Sequence, residues 1–185
     1  MSFSQFAKEL KQAADKGLGY TLESCYITYD SIRDKKHLAQ QGDYKERVFT
    51  YGDGAITMGD MVIRDIKFND TTEVKIEKCK FGETGEDLTT TIQFRKCHFG
   101  TLKISSIDVK DFNIKESNIN ILEIDFEEDL QDRMMISSSR ISRIKATVKK
   151  SKNKVNGYMS YIRLSSNEIE YCYLKNWDSY SIDEN

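Results

Sequence analysis

The apolar residues of this chain follow two different periods. From 2 to 16, Phe3, Phe6, Ala7, Leu10, Ala13 and Ala14 recur at helical spacing and predict one amphipathic helix. Ser2 and Gln5 have capping-box spacing, and Gly17 and Gly19 supply the stop. Beyond Gly19 the gaps between apolar residues alternate between two and three, a repeat of five. The pattern is clearest from Ile92 to Ile124. One series is Ile92, Cys97, Leu102, Ile107, Phe112, Ser117 and Leu122; the other is Phe94, Phe99, Ile104, Val109, Ile114, Ile119 and Ile124. Of these 14 positions 13 are apolar, whereas Ile121 alone is apolar among the 19 between them. With 38% apolar residues in the chain, random placement fills about 5 of the 14.

The same spacing recurs at Tyr20, Leu22, Cys25, Ile27 and Ile32, with Asp30 as the exception. It recurs at Ile56, Met58, Met61, Ile63, Ile66 and Phe68, and at Val74, Ile76, Cys79 and Phe81. Weaker copies are Met134, Ile136, Ser139, Ile141 and Ile162, Leu164, Asn167, Ile169, Cys172, Leu174. The frame slips at 69–73 and 82–91, where polar residues, Gly82 and Gly85 predict protruding loops. A helix would smear a five-residue period around its circumference, and a flat strand would send half of it to each face. A backbone that turns a corner every five residues points two side chains of each five inward. Stacked coils roughly 4.8 Å apart then bury them as ladders of like residues. The expected fold is all-β, a right-handed parallel β-helix. Residues 1–19 form an N-terminal capping helix, and residues 20–185 form the solenoid with its C-terminal cap, as one structural domain.

In Ile107-Asp108-Val109, Phe112-Asn113-Ile114 and Ser117-Asn118-Ile119, and partly in Cys97-His98-Phe99, the chain resembles the pentapeptide-repeat family. That family repeats a small residue, Asn or Asp, Leu or Phe, then two polar residues. The resemblance implies a right-handed four-sided β-helix. The slot that is usually small holds Ile92, Leu102, Ile107, Phe112 and Leu122, which points to a wider, less regular version. Solenoids expose unpaired strand edges at both ends. The helix is the expected cover for one end. Leu174, Trp177, Tyr180 and Ile182 either cover the other or form a homodimer contact there.

Chemistry-bearing motifs are sparse. Cys25, Cys79, Cys97 and Cys172 each precede an apolar residue by two and take the first inward slot of a repeat, as core thiols in a reducing compartment. They form no CxxC pair, so neither a disulfide framework nor a metal site is expected. His37 lies in a polar stretch, and His98 alternates outward. GxSxG, HExxH, GxxxxGK[ST] and GxGxxG are absent. Asp65, Glu77 and Asp111 are outward carboxylates without a cleft to unite them, and Gly52-Asp53-Gly54 reads as a turn. No catalytic residue, cofactor or metal is expected. No stretch approaches the ~18 apolar residues of a membrane span, and the N-terminus lacks the apolar core of a signal peptide.

A formal net charge of -2 hides a segregation. From Arg133 to Arg163 there is no Asp or Glu, while Arg133, Arg140, Arg143, Lys145, Lys149, Lys150, Lys152, Lys154 and Arg163 supply nine positive charges. The rest of the chain carries a net charge of -11, and Glu127, Glu128, Asp129 and Asp132 sit immediately before the basic span. The expected function is non-enzymatic binding of another macromolecule through the outer solenoid faces. The resemblance adds a concrete version: an acidic rod that imitates duplex nucleic acid and inhibits a nucleic-acid-handling protein. The alternative is direct nucleic-acid binding through 133–163, centred on Arg140, Arg143, Lys145, Lys149, Lys150, Lys152 and Lys154, with Tyr158, Tyr161 and Tyr173 nearby. A blander reading has the acidic and basic faces pairing locally, or residues 149–154 forming a solvated loop. A glycan-active β-helix enzyme is the remote alternative. The setting expected is the cytoplasm of a bacterium or a phage-infected cell.

Overall fold

The computed structural model describes residues 1–28, 44–51, 54–82, 91–109, 111–127, 133–149 and 160–183. Among the described residues a single helix, α1 (Phe3–Asp15), precedes fifteen strands. These are β1 (Tyr20–Glu23), β2 (Tyr26–Ile27), β3 (Tyr44–Tyr51), β4 (Gly54–Arg64), β5 (Glu73–Glu77), β6 (Lys80–Phe81), β7 (Thr91–Arg95) and β8 (His98–Ser105). They continue with β9 (Asp111–Lys115), β10 (Asn118–Glu127), β11 (Arg133–Ser137), β12 (Arg140–Lys149), β13 (Tyr161–Ser165), β14 (Glu168–Lys175) and β15 (Ser179–Asp183). The fold is all-β with parallel sheets. One sheet runs β1-β5-β8-β10-β12-β14, a second runs β15-β13-β11-β9-β7-β4-β3, and β2 pairs with β6. The first sheet is parallel throughout, and the second departs from that only where β3 pairs antiparallel with β4. From β7 onward each strand belongs to the sheet its predecessor does not, so the chain passes back and forth and advances one strand each time.

In the regular part the advance is twenty residues. Ile92 pairs with Phe112, and Leu102 with Leu122. Longer offsets elsewhere take up residues in 29–43, 83–90, 128–132 and 150–159, which lie outside the described residues. The local device behind the repeat is a left-handed corner. Ser24, Asp65, Lys78, Lys96, Ser106, Glu116, Ser138, Ser166 and Asn176 all have positive φ, between 48° and 63°. Each stands directly before an inward position, for example Lys96 before Cys97 and Glu116 before Ser117. One left-handed residue costs an L-amino acid roughly 1–2 kcal/mol. Hydrogen bonds between coils offset it: Lys96 donates its N–H to Lys115 O at 3.0 Å, and Glu116 to Ser137 O at 3.0 Å. The other three-residue gaps fall inside strands, at Gly100, Asn120, Ser142 and Glu170, where the register skips a pair. At Gly100 a Cβ would lie 2.2 Å from the Asp70 carbonyl oxygen, so only glycine lets the 69–72 turn pack there. That segment, expected as a protruding loop, is a tight turn closed by Thr72 N–H to Asn69 O.

All 14 inward positions from Ile92 to Ile124 are buried. They join one core, in which rings from the two large sheets meet: Phe94 lies edge-on to Phe99 at 5.5 Å, and Phe112 to Phe126 at 6.3 Å. Ser117, the polar member of the series, is buried for a reason of its own. Its Oγ accepts from Cys97 N–H, and its own N–H donates to Ser139 Oγ, whose N–H in turn donates to Asn167 Oδ1. Polar inward residues at this corner therefore satisfy backbone donors from one repeat to the next.

At the first end, α1 buries Phe3, Phe6 and Leu10. Phe6 packs on Phe81 and Tyr20, and Ser2 Oγ accepts from Gln5 N–H at 3.1 Å. The capping box is half made, because the Gln5 amide turns to Glu9. Gly17 takes the left-handed conformation expected of a stop. At the other end, Trp177 reaches into the stack, its ring 6.1 Å from Phe126 and its Nε1–H donating to Ala146 O. Two expectations are corrected. Cys172 pairs in register with buried Ile144 yet is exposed, because β14 is the last strand of its sheet. Asp111 is buried rather than outward and takes two hydrogen bonds from the Arg133 guanidinium, at 2.8 and 3.1 Å. Asp30, Ile32, Gly52 and Asp53 lie outside the described residues, as do the side chains of Ile56 and Met58.

Candidate functional site

The alternation that buries Ile141, Ile144, Ala146 and Val148 of β12 turns Arg140, Arg143, Lys145 and Lys149 outward. Register then sets what each meets on the next strands. Arg140 lies opposite Glu168, and its Nε donates to Glu168 Oε2 at 2.7 Å. Lys149 reaches Asp125 Oδ2 at 2.9 Å, and that carboxylate raises the pKa of the amine. On the second sheet Arg133 is held by Asp111, and Arg163 by Asp183 at 2.9 Å. The Arg163 guanidinium, helped by the Ser181 hydroxyl, holds the Asp183 carboxyl below its ordinary range. Four of the nine cations of the basic span are thus ion-paired with carboxylates that lie outside the span in sequence. The locally paired reading holds for those four.

Arg143 and Lys145 are arranged differently. Among the described residues neither has an ion pair with a carboxylate. Arg143 is registered with Tyr171 and Lys145 with Tyr173. The guanidinium carbon of Arg143 lies 5.8 Å from the centre of the Tyr171 ring, a cation–π contact. On the opposite side of Lys145 the registered residue is Glu123, but its carboxylate turns to Lys103 at 3.6 Å. The four side chains line an open depression of about 500 Å3 on the outer face of the first sheet, over its last two strands. Tyr171 is 55% exposed and Tyr173 41%, so two large rings stand in solvent beside two cations.

Arg143, Lys145 and Tyr173 belong to the basic span and the tyrosines expected near it; Tyr171 does not. The signal for it was present: with Cys172 inward, Tyr171 and Tyr173 must both face outward. Tyr161 belongs to the second sheet and is not part of this group. Lys150, Lys152, Lys154, Tyr158 and His37 lie outside the described residues. So do Glu128, Asp129 and Asp132 of the acidic group; Glu127 is exposed and accepts from Ser106 Oγ at 3.0 Å. The described carboxylates form no unbroken acidic face. Glu23, Glu77, Glu116 and Asp108 are each within ion-pair distance of a lysine or arginine on the same or a neighbouring coil.

Other candidate chemistry is dispersed or accounted for. His98 Nε2 lies 2.7 Å from Asp70 Oδ1, which also accepts from Asn120 Nδ2. His98, and secondarily Asn120, lower the Asp70 pKa. Asp65 follows β4, Glu77 ends β5 of the first sheet, and Asp111 begins β9 of the second; no cleft brings them together. The Cys97 thiol is pushed up to about 11 by burial and donates to Arg95 O and Ile63 O. Burial also raises Cys79, whereas Cys25 is half-buried. Among the described residues no three His, Cys, Asp or Glu side chains converge as metal ligands, and no helix is long and apolar enough to cross a membrane.

Comparison with known proteins finds no matching family model, curated protein or solved structure.

Proposed function

We propose that this chain is a non-enzymatic interaction protein, built as a right-handed β-helix of pentapeptide-repeat type, that binds an anionic macromolecule through an outer face. The twenty-residue offset between stacked strands equals four sides of five residues, which supports a four-sided coil. Parallel connections of this kind are right-handed in nearly all proteins. The burial of Phe3, Phe6 and Leu10 supports the capping role of α1.

The observation that carries the functional reading is the group of Arg143, Lys145, Tyr171 and Tyr173. Of the described cations in the basic span, these two are left for a ligand, and they stand beside two exposed rings. Clustered cations bring salt-sensitive affinity for phosphates or carboxylates, and adjacent aromatic rings add area that is worth most when buried by a partner. The acidic-decoy version, aimed at a nucleic-acid-handling protein, draws less support. The carboxylates it requires are largely engaged by neighbouring lysines and arginines, and Glu127 is the one described member of its acidic group.

The test is an affinity pull-down from bacterial lysate with and without nuclease, comparing the natural chain with Arg143→Glu/Lys145→Glu. The reading expects a nucleic acid or an acidic protein that the natural chain retains and the double variant loses. Equal recovery by both chains contradicts it. Self-association through the β14–β15 end is proposed separately, on the exposure of Tyr180 (65%) and Ile182 (54%). Sedimentation at the monomer mass across a wide concentration range contradicts that part.

A further inference from the structure

From the spacing of the exposed group we infer that it is a binding site for single-stranded nucleic acid, with phosphates at Arg143 and Lys145 and an unstacked base on each of Tyr171 and Tyr173. The inference rests on the reading that this face is the contact surface, and narrows its ligand. The four residues form a two-by-two grid fixed by the backbone. Arg143 faces Tyr171 and Lys145 faces Tyr173 across the β12–β14 pairing, at the roughly 4.8 Å that separates parallel strands. Along each strand the partners are two residues apart, which is roughly 6.6 Å. Each rung therefore offers one cation and one ring, the two features that a nucleotide presents in complement as phosphate and base.

The spacing selects the form of the nucleic acid. Bases stacked in a duplex rise about 3.4 Å per step and show their faces only to one another. Two rings roughly twice that distance apart each take a base only when successive bases are splayed, as in an extended single strand. Rings that bind bases by their faces tolerate any sequence. With Arg143 and Lys145 assigned to phosphates, the tyrosine hydroxyls are the polar groups of this set left to meet base edges, which agrees with that. Arg143 already lies over Tyr171, which holds the ring and places the guanidinium where a phosphate can take its hydrogen bonds. Among the described residues β14 is the last strand of its sheet, and no further strand lies beyond the two rungs.

A site with two cations binds modestly and has a definite salt signature. For a single strand, log K should fall with log salt at about -1.4, some 0.7 for each cation. The experiment is fluorescence anisotropy with a labelled oligothymidylate and a labelled duplex of equal length, using the full chain. The inference expects the single strand to bind several-fold tighter than the duplex. Tyr171→Ala/Tyr173→Ala should weaken it by about tenfold or more, and Tyr171→Phe/Tyr173→Phe should restore it because stacking needs the ring and not the hydroxyl. Lys145→Gln should reduce the salt slope by about 0.7. These positions are exposed, so unchanged far-UV circular dichroism and melting temperature certify each variant. Equal affinity for duplex, or alanine variants that bind like the natural chain, overturns the inference. If no oligonucleotide binds while a nuclease-resistant protein is captured by the natural chain and lost with Arg143→Glu/Lys145→Glu, the nucleic-acid inference falls and the broader reading stands. If neither binds, both fall.

Discussion

The middle of the stack, from Ile92 to Ile124, and its last strands, β14 and β15, obey the same five-residue frame with opposite results. In the middle every inward residue is buried. In the last strands Cys172, Tyr180 and Ile182 occupy inward positions, registered with Ile144, Ile162 and Leu164, and are exposed. Orientation is local, set by strand alternation and left-handed corners. Burial is not local: it requires the next strand of the sheet. The five-residue repeat therefore specifies which way a side chain points, and the neighbouring strands of the parallel sheets decide whether water reaches it.

Cys97 and Cys172 fill the same slot, so changing both to Asp should separate the regions most sharply. Cys97→Asp should destabilise by at least ~4 kcal/mol, because the carboxylate would be buried against the Arg95 and Ile63 carbonyl oxygens that the thiol now serves as donor. Cys172→Asp should stay within about 0.5 kcal/mol. Urea denaturation of both variants checks this, and equal losses would erase the distinction. Next in size, Phe112→Ala should cost about 3–5 kcal/mol, whereas Ile182→Ala, at 54% exposure, should cost less than about 1 kcal/mol. Thermal unfolding followed by circular dichroism reads both.

The third contrast is with pH. Burial pushes the folded Cys97 thiol up to about 11, above the ordinary cysteine value of about 8.5. The folded state keeps its proton where the unfolded chain loses it, so stability is fully present below about pH 8.5 and falls as pH rises through about 11, by some 3 kcal/mol. Cys97→Ser should remove that alkaline loss at small cost, since Ser117 and Ser139 already fill the same ladder. An unchanged alkaline profile in the variant argues against the buried thiol as its source. The smallest effect concerns what the two regions share. Ser138 and Ser166 are exposed and left-handed, at φ 50° and 55°. Valine at either should cost about 1–2 kcal/mol, with the same value at both if the frame persists to the end.

Much of this was legible in the chain. The gaps of two and three pick out 14 residues from Ile92 to Ile124 that are all buried, and miss Asp111, which is buried through its bonds to Arg133. The polar corner was not legible: Ser117 reads as a flaw in the apolar series until its hydroxyl is seen to accept from the neighbouring coil. Nor was the antiparallel pairing of β3 with β4, which departs from the repeat. The pairing of the basic span escaped for a geometric reason. Asp111, Asp125, Glu168 and Asp183 lie 20 to 28 residues along the chain from the cations they meet and become neighbours only through register. Tyr171 joined the candidate site in the same way.

The frame and its dependence on stacking are tested most directly by the four thiols of the natural chain, which mark the same slot at different depths. Native-state labelling with an alkylating reagent, followed by site-resolved mass spectrometry, should find Cys172 modified first and Cys25 more slowly, with Cys79 and Cys97 modified only as fast as the protein unfolds. Labelling of Cys97 as fast as Cys172 would contradict the assignment of inward positions and the stacked architecture built on it.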